Sequence, residues 1–165
     1  DIMTPYQDII NNKPLSVTEK SNILNDEITL VENFKSVFLL LLGKAFEKYG
    51  PEIDKNQQVL LSLSDLAIEA YLSESTLKRT IKNIERTSDK DQSDQINMTR
   101  LYIYEASQIV QKKSRDVINS IIDIGEQDDL YSSIIEKLHY SENPNVFDLK
   151  TKIANKLISE NKYCF

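Results

Sequence analysis

The stretch VLLSLSDLAIEAYLSESTLKRTIKNI, residues 59–84, decides the fold. Its apolar residues stand at 59, 63, 66/67, 70, 77, 81 and 84, each step being three or four residues or their sum. That period draws one stripe down a long α-helix, since a strand would alternate every second residue. A second, shorter apolar line through Leu61, Ile68 and Leu72 runs along its flank. An apolar arc this broad needs more than one neighbour to cover it. The spacing therefore predicts the central helix of a bundle, from about Gln57 to Glu85.

Upstream, Ile28, Val31, Phe34, Phe38, Leu41/Leu42, Ala45 and Tyr49 mark a first long helix over 26–49. Gly50-Pro51 stops it, because glycine accepts a left-handed cap and proline cannot continue the ladder. Between Val37 and Leu42 this helix is apolar all round, which makes the segment a candidate contact surface. Residues 1–25 read as an N-terminal arm or short helices. Thr4-Pro5 and the Ser16/Glu19 pair are helix starts there, and Asn11-Asn12-Lys13-Pro14 is a stop.

Downstream, RTSDKDQSD (86–94) contains no apolar residue and reads as a loop. A third long helix is expected over 95–124, its core face carrying Ile96, Ile103, Ala106, Val110, Val117, Ile121 and Ile124, with Gly125 ending it. A shorter helix over 130–138 follows. The last helix, 147–161, has Leu149, Ile153, Leu157 and Ile158 directed inward. The fold class is all-α: an up-and-down helical bundle with three long helices plus shorter C-terminal helices, forming one domain over 26–165.

Composition agrees and narrows the partners. Three glycines and four prolines are too few for the turns of an all-β fold, and a net charge of −6 argues against nucleic acid as a partner. Basic groups at Lys78-Arg79-Lys82, Lys112-Lys113-Arg115 and Lys150-Lys152-Lys156 lack interleaved aromatics and read as solvated helix faces. The longest apolar run, 37–42, is far short of the roughly 20 residues that span a bilayer. One cysteine, Cys164, cannot form an internal disulfide. No secretory signal is expected, and a cytoplasmic location is.

A search for chemistry finds no self-sufficient active site. Glu136-Lys137-Leu138-His139 is a single Glu-x-x-His, whereas a di-iron bundle needs two copies and two further glutamates. His139 is the sole histidine, and no Gly-x-Ser-x-Gly elbow accompanies it. The acids Asp123, Glu126, Asp128 and Asp129 lack calcium-loop spacing and suit a helix N-terminus instead. Glu69, Glu74, Arg79, Arg100 and Glu105 border the apolar stripes and read as surface charges or inter-helix ion pairs. The expectation is no catalytic, cofactor-binding or metal-binding residue.

Four pieces carry a resemblance: NFKSVFLLLLGKAFEKYG (33–50), QVLLSLSDLAIEAYLSESTLKRT (58–80), INMTRLYIYEAS (96–107) and IANKLISENKYCF (153–165). Taken in order, they resemble the extra C-terminal helical region of bacterial acyl-CoA dehydrogenases of the very-long-chain type. The resemblance implies a parent flavoenzyme whose core, holding FAD and a catalytic glutamate, oxidises the Cα–Cβ bond of a fatty acyl-CoA. It also implies that none of that core lies in this chain, so no catalytic or flavin-binding residue transfers to any position here. The chain would then be non-catalytic by itself and meet acyl-CoA only through its parent. Its implied partners are the parent's catalytic core, a second subunit in a homo-oligomer and, with weaker support, a membrane surface. The alternative from another class is an independent helical interaction module unrelated to oxidation.

Overall fold

The computed structural model describes residues 23–86, 92–141 and 143–161. The sequence features at Thr4-Pro5, Ser16/Glu19 and Cys164 lie outside these residues. Five α-helices follow in order: α1 (Asn25–Tyr49), α2 (Gln57–Arg86), α3 (Ser93–Ile121), α4 (Ile124–Lys137) and α5 (Val146–Glu160). Among the described residues there is no strand.

A 3-10 turn, Gly50–Lys55, joins α1 to α2. Gly50 has φ 52° and ψ −132°, a conformation that L side chains rarely adopt, and its N–H closes on the Phe46 carbonyl. Space does not demand glycine here, because an added Cβ would meet nothing within 4 Å. The backbone angle does. Ile53 is buried within the turn, which anchors the reversal.

The stripe of α2 is buried at Val59, Leu63, Leu66, Ala70, Ser73, Leu77 and Thr80, the three-four repeat expected from its sequence. At about 1.5 Å per residue α2 runs for roughly 45 Å. Helix α3 packs antiparallel to it, since Thr80 meets Thr99 while Asp65 meets Lys113. Helix α1 lies antiparallel to α2 and parallel to α3, as Lys35–Glu74, Glu27–Arg100 and Tyr49–Ser120 show. The three long helices thus enclose one core, with Leu30, Val31, Phe34, Val37, Leu41 and Ala45 supplied by α1. Helices α4 and α5 each dock antiparallel on α3, α4 through Arg115 stacked over the Tyr131 ring, α5 through Lys150–Glu105 and Lys156–Asp94.

Three expectations change. Helix α3 stops at Ile121, because Ile122 and Asp123 are extended, and α4 starts at Ile124, six residues earlier than the sequence suggested. Gly125 therefore sits in the first turn of α4 rather than ending α3, and Ile124 is 88% exposed instead of in the core. In α5 Leu149 is buried and Ile153 half-buried, but Leu157 and Ile158, also expected inward, are exposed, because among the described residues α5 packs mainly on α3. The 37–42 segment divides: Val37 and Leu41 are buried, while Phe38, Leu40 and Leu42 are half-buried against the same core. Most of that apolar surface belongs to the bundle.

Buried hydroxyls give two tests of the packing. Thr99 Oγ1 donates to the Gln95 carbonyl (2.9 Å), so in its 2.8 Å contact with Thr80 it accepts and Thr80 donates. Thr99→Val strands the Thr80 hydroxyl at about 1–3 kcal/mol and Thr80→Val costs less, since Thr99 keeps its bond to Gln95, whereas removing both hydroxyls is nearly neutral. Denaturant midpoints should show T80V/T99V clearly less destabilised than the sum of its singles. Additivity would remove the bond from the account. The hydroxyls of Ser73 and Ser114, both fully buried, have no hydrogen-bond partner among the described residues. Replacing either by alanine should stabilise the fold by about 1 kcal/mol, through relief of an unpaired buried hydroxyl. A lowered midpoint for both would contradict this.

Candidate functional site

The most built polar cluster lies where the start of α1, the first third of α3 and the chain beyond α4 converge. Glu27 sits in the first turn of α1, in line with Val31 and Phe34, and is 2% exposed. Its carboxylate faces Arg100 Nε of α3 at 3.3 Å and accepts a hydrogen bond from the Tyr140 hydroxyl. Arg100 Nη2 also donates to the Ile23 carbonyl at 2.6 Å, and Ser141 donates to Asp26 beside it. Burial, then the Glu27 carboxylate, push the Tyr140 phenol well above its ordinary value of 10. The Tyr140 proton is therefore held rather than offered for transfer. A cleft of about 350 Å³ opens beside the cluster, lined also by Asn25, Asn143 and Pro144. Every polar group at its centre is engaged in joining helices.

A second cluster ties α1 to α2. Lys35 reaches Glu32 at 2.7 Å and Glu74 at 3.4 Å, and Glu74 also holds Lys78 at 2.7 Å. The Lys78 hydrogen bond lowers the Glu74 pKa from its usual 4.5; burial opposes this, and Lys35 adds to the lowering. Burial pulls Lys35 down, but Glu32 and Glu74 together outweigh it and leave it raised. A carboxylate lowered on folding contributes stability that is complete above the unfolded value and is lost as pH falls through the folded one. The wild-type chain should therefore lose more stability than Glu74→Gln as pH is taken from 5 down through that acid range. Urea midpoints measured across the titration check it, and parallel curves would exclude Glu74 as a contributor.

The remaining residues singled out by the sequence are dispersed. Glu69 accepts from the Tyr102 hydroxyl at 3.4 Å; burial, then Glu69, push that phenol up to about 12. Glu105 pairs with Lys150, linking α3 and α5. Arg79 is exposed and borders a groove of about 350 Å³ between α2 and α3, with Thr76, Asn83, Gln95 and Met98. His139 is exposed just beyond α4, its backbone N–H 3.4 Å from the Glu136 carbonyl. Among the described residues no group of three or more His, Cys, Asp or Glu side chains is placed to hold a metal ion. No described helix is long and apolar enough to cross a membrane.

Glu27 and Tyr140 escaped the sequence reading. Glu27 left a signal, since it occupies the position four residues before Val31 where the α1 stripe calls for an apolar side chain. An acid on such a line needs a buried partner. Tyr140 lay beyond the end of the expected short helix and offered no period to read.

Comparison with known proteins places this geometry. Residues 33–137, well over half of the chain, match the family model described as acyl-CoA dehydrogenase, C-terminal domain. A probable acyl-CoA dehydrogenase of Bacillus subtilis (strain 168) is 28% identical over 145 residues, a region covering 87% of this chain and 24% of the relative. The chain thus spans about a quarter of the length of that relative. An acyl-CoA dehydrogenase from Bacillus anthracis, crystallised with FAD, shares the fold with a TM-score of 0.86 at 24% identity, over 99% of this chain and 28% of its own. With the helices, their order and the matched segment in agreement, the chain belongs to the acyl-CoA dehydrogenase C-terminal domain family.

Proposed function

We propose that this bundle is the non-catalytic C-terminal domain of a flavin-dependent acyl-CoA dehydrogenase of the very-long-chain type. The parent enzyme would remove two hydrogens across Cα–Cβ of a fatty acyl-CoA, and the bundle would pack against its catalytic core or a second subunit. The observation that carries this reading is the family match over residues 33–137; beside it, the buried groups Glu27, Arg100 and Tyr140 hold helices together. A bacterial relative of which the matched region covers only 24% is consistent with a part serving a larger enzyme. Residues 26–165 form the domain, and residues 1–25 lead into it. The site for the chemistry, and a cytoplasmic location, belong to the parent in this reading.

The described residues do not fit a flavin. The clefts at Glu27 and beside Thr80 are about 350 Å³ each and lined largely by polar side chains, several already bonded to one another. Gly43, Gly50 and Gly125 stand apart, so no glycine-rich turn offers backbone N–H groups to a pyrophosphate. FAD and acyl-CoA are accordingly assigned to the part of the enzyme outside this chain.

The test compares the full-length polypeptide with a version lacking residues 26–165. The full-length protein should purify with flavin and oxidise fatty acyl-CoA with an artificial electron acceptor. The truncated one should keep flavin but lose stability, oligomeric state or long-chain preference. The 165-residue chain alone should bind neither FAD nor acyl-CoA in calorimetry. Micromolar binding of either by the isolated chain would overturn the non-catalytic assignment.

A further inference from the structure

The outer face of α2 carries a line that nothing among the described residues covers. Leu61, Ile68 and Leu72, then Arg79, Lys82 and Arg86, fall in steps of four and three once positions 65 and 75 are filled in. That is the seam along which one helix packs on another. The three apolar members are 65%, 51% and 42% exposed, and the three basic ones are exposed as well. Over about 37 Å the line is apolar for its first half, apart from Asp65, which is held by Lys113 of α3, and beyond Ser75 it is cationic.

The basic half gathers three cations within eight residues. Lys35, Lys78, Arg100 and Lys113 all have carboxylate partners within the bundle. Arg79, Lys82 and Arg86 have no ion pair among the described residues, in a chain of net charge −6. The helix dipole accounts for a base in the last turn, but not for Arg79 two turns earlier.

These features select the occupant. A second copy of α2 laid antiparallel would set Leu61 against Arg86, and laid parallel would set three cations against three. Both bury charge without a counter-charge. A bilayer wants basic residues flanking an apolar face, whereas here they follow it end to end, on a chain whose net charge an anionic leaflet repels. We infer that the outer face of α2 docks a protein helix that is apolar over about three turns and acidic over the next two. The helix is supplied by the larger enzyme, and for that source the inference rests on the function proposed above.

Photo-crosslinking in the full-length polypeptide tests it, with p-benzoylphenylalanine replacing Ile68 in one variant and Lys82 in another. Both adducts should map to one helix, apolar opposite position 68 and acid-bearing opposite position 82. Arg79→Glu with Lys82→Glu should reduce the adduct at 68 by about tenfold at low salt, since like charges would then face each other. Changing the mapped acids to lysine should restore it. An adduct with lipid, with α2 of a second copy or with an acid-free segment, or no adduct at all, would overturn the inference. Flavin absorbance of the same samples separates the two readings. Flavin without adducts removes only the docking surface; the expected adducts in a flavin-free polypeptide keep the surface and remove the enzyme assignment.

Discussion

Arg100→Met is expected to destabilise the bundle by about 3 kcal/mol, at the low end of the range for breaking a buried ion pair by removing one partner. The variant leaves the Glu27 carboxylate, 2% exposed, with the Tyr140 hydroxyl but no cation. The low end applies because Arg100 itself is about one-third exposed and already partly solvated. The change also frees the Ile23 carbonyl, which Arg100 Nη2 holds at 2.6 Å. At roughly 2–4 °C per kcal/mol for a domain of this size, the midpoint of thermal unfolding by circular dichroism should fall by about 6–12 °C. Glu27→Leu combined with Arg100→Met removes both charges and should recover more than half of the loss. If the double variant were as unstable as its two singles added together, the pair would not be the source of the effect.

Phe34→Ala should cost more, about 3–5 kcal/mol, because a buried aromatic leaves both lost transfer energy and a cavity behind. Phe34 has no exposed surface and is among the largest fully buried side chains, in the core shared by the three long helices. Phe46, on the same helix, is 46% exposed and serves as the internal control. Phe46→Ala should shift stability by less than about 1 kcal/mol, as changes at partly exposed positions usually do. Guanidinium midpoints at constant slope provide the comparison. Equal effects at the two positions would mean that the core closes around the missing ring.

These expectations draw on parts of the chain that differ in how openly the sequence declares them. The stripes of α1, α2 and α3 were legible because burial on one face forces the period, and Val59, Leu63, Leu66, Ala70 and Leu77 follow it, with Ser73 filling the one longer step. The boundary between α3 and α4 was not. Ile121, Ile122 and Ile124 continue the apolar rhythm across the break, and the extended backbone at Ile122 and Asp123 has no proline or glycine to announce it. Ile158 misled for a different reason, since an apolar residue at the right spacing is buried only where a neighbour exists. The polar clusters were half legible. Arg100, Glu74 and Glu105 were marked as ion-pair candidates, but their partners depend on the register between helices, which no local pattern encodes. The flank through Leu61, Ile68 and Leu72 was visible as an apolar line, and the sequence implied a second neighbour for it. The described fold supplies none.

The tie between Glu27 and Tyr140 also has a consequence for the order of assembly. The helices α1, α2 and α3 are consecutive hairpins, and contacts between near neighbours in sequence form early and fast. Glu27 and Tyr140 are 113 residues apart, so their contact becomes favourable only after both hairpins have closed the distance between them. The last event of folding is then the seating of the α4 end against the first turn of α1. By the same reasoning it is the expected first event of opening, in which that segment and the start of α1 detach together while α2, α3 and the rest of α1 stay packed.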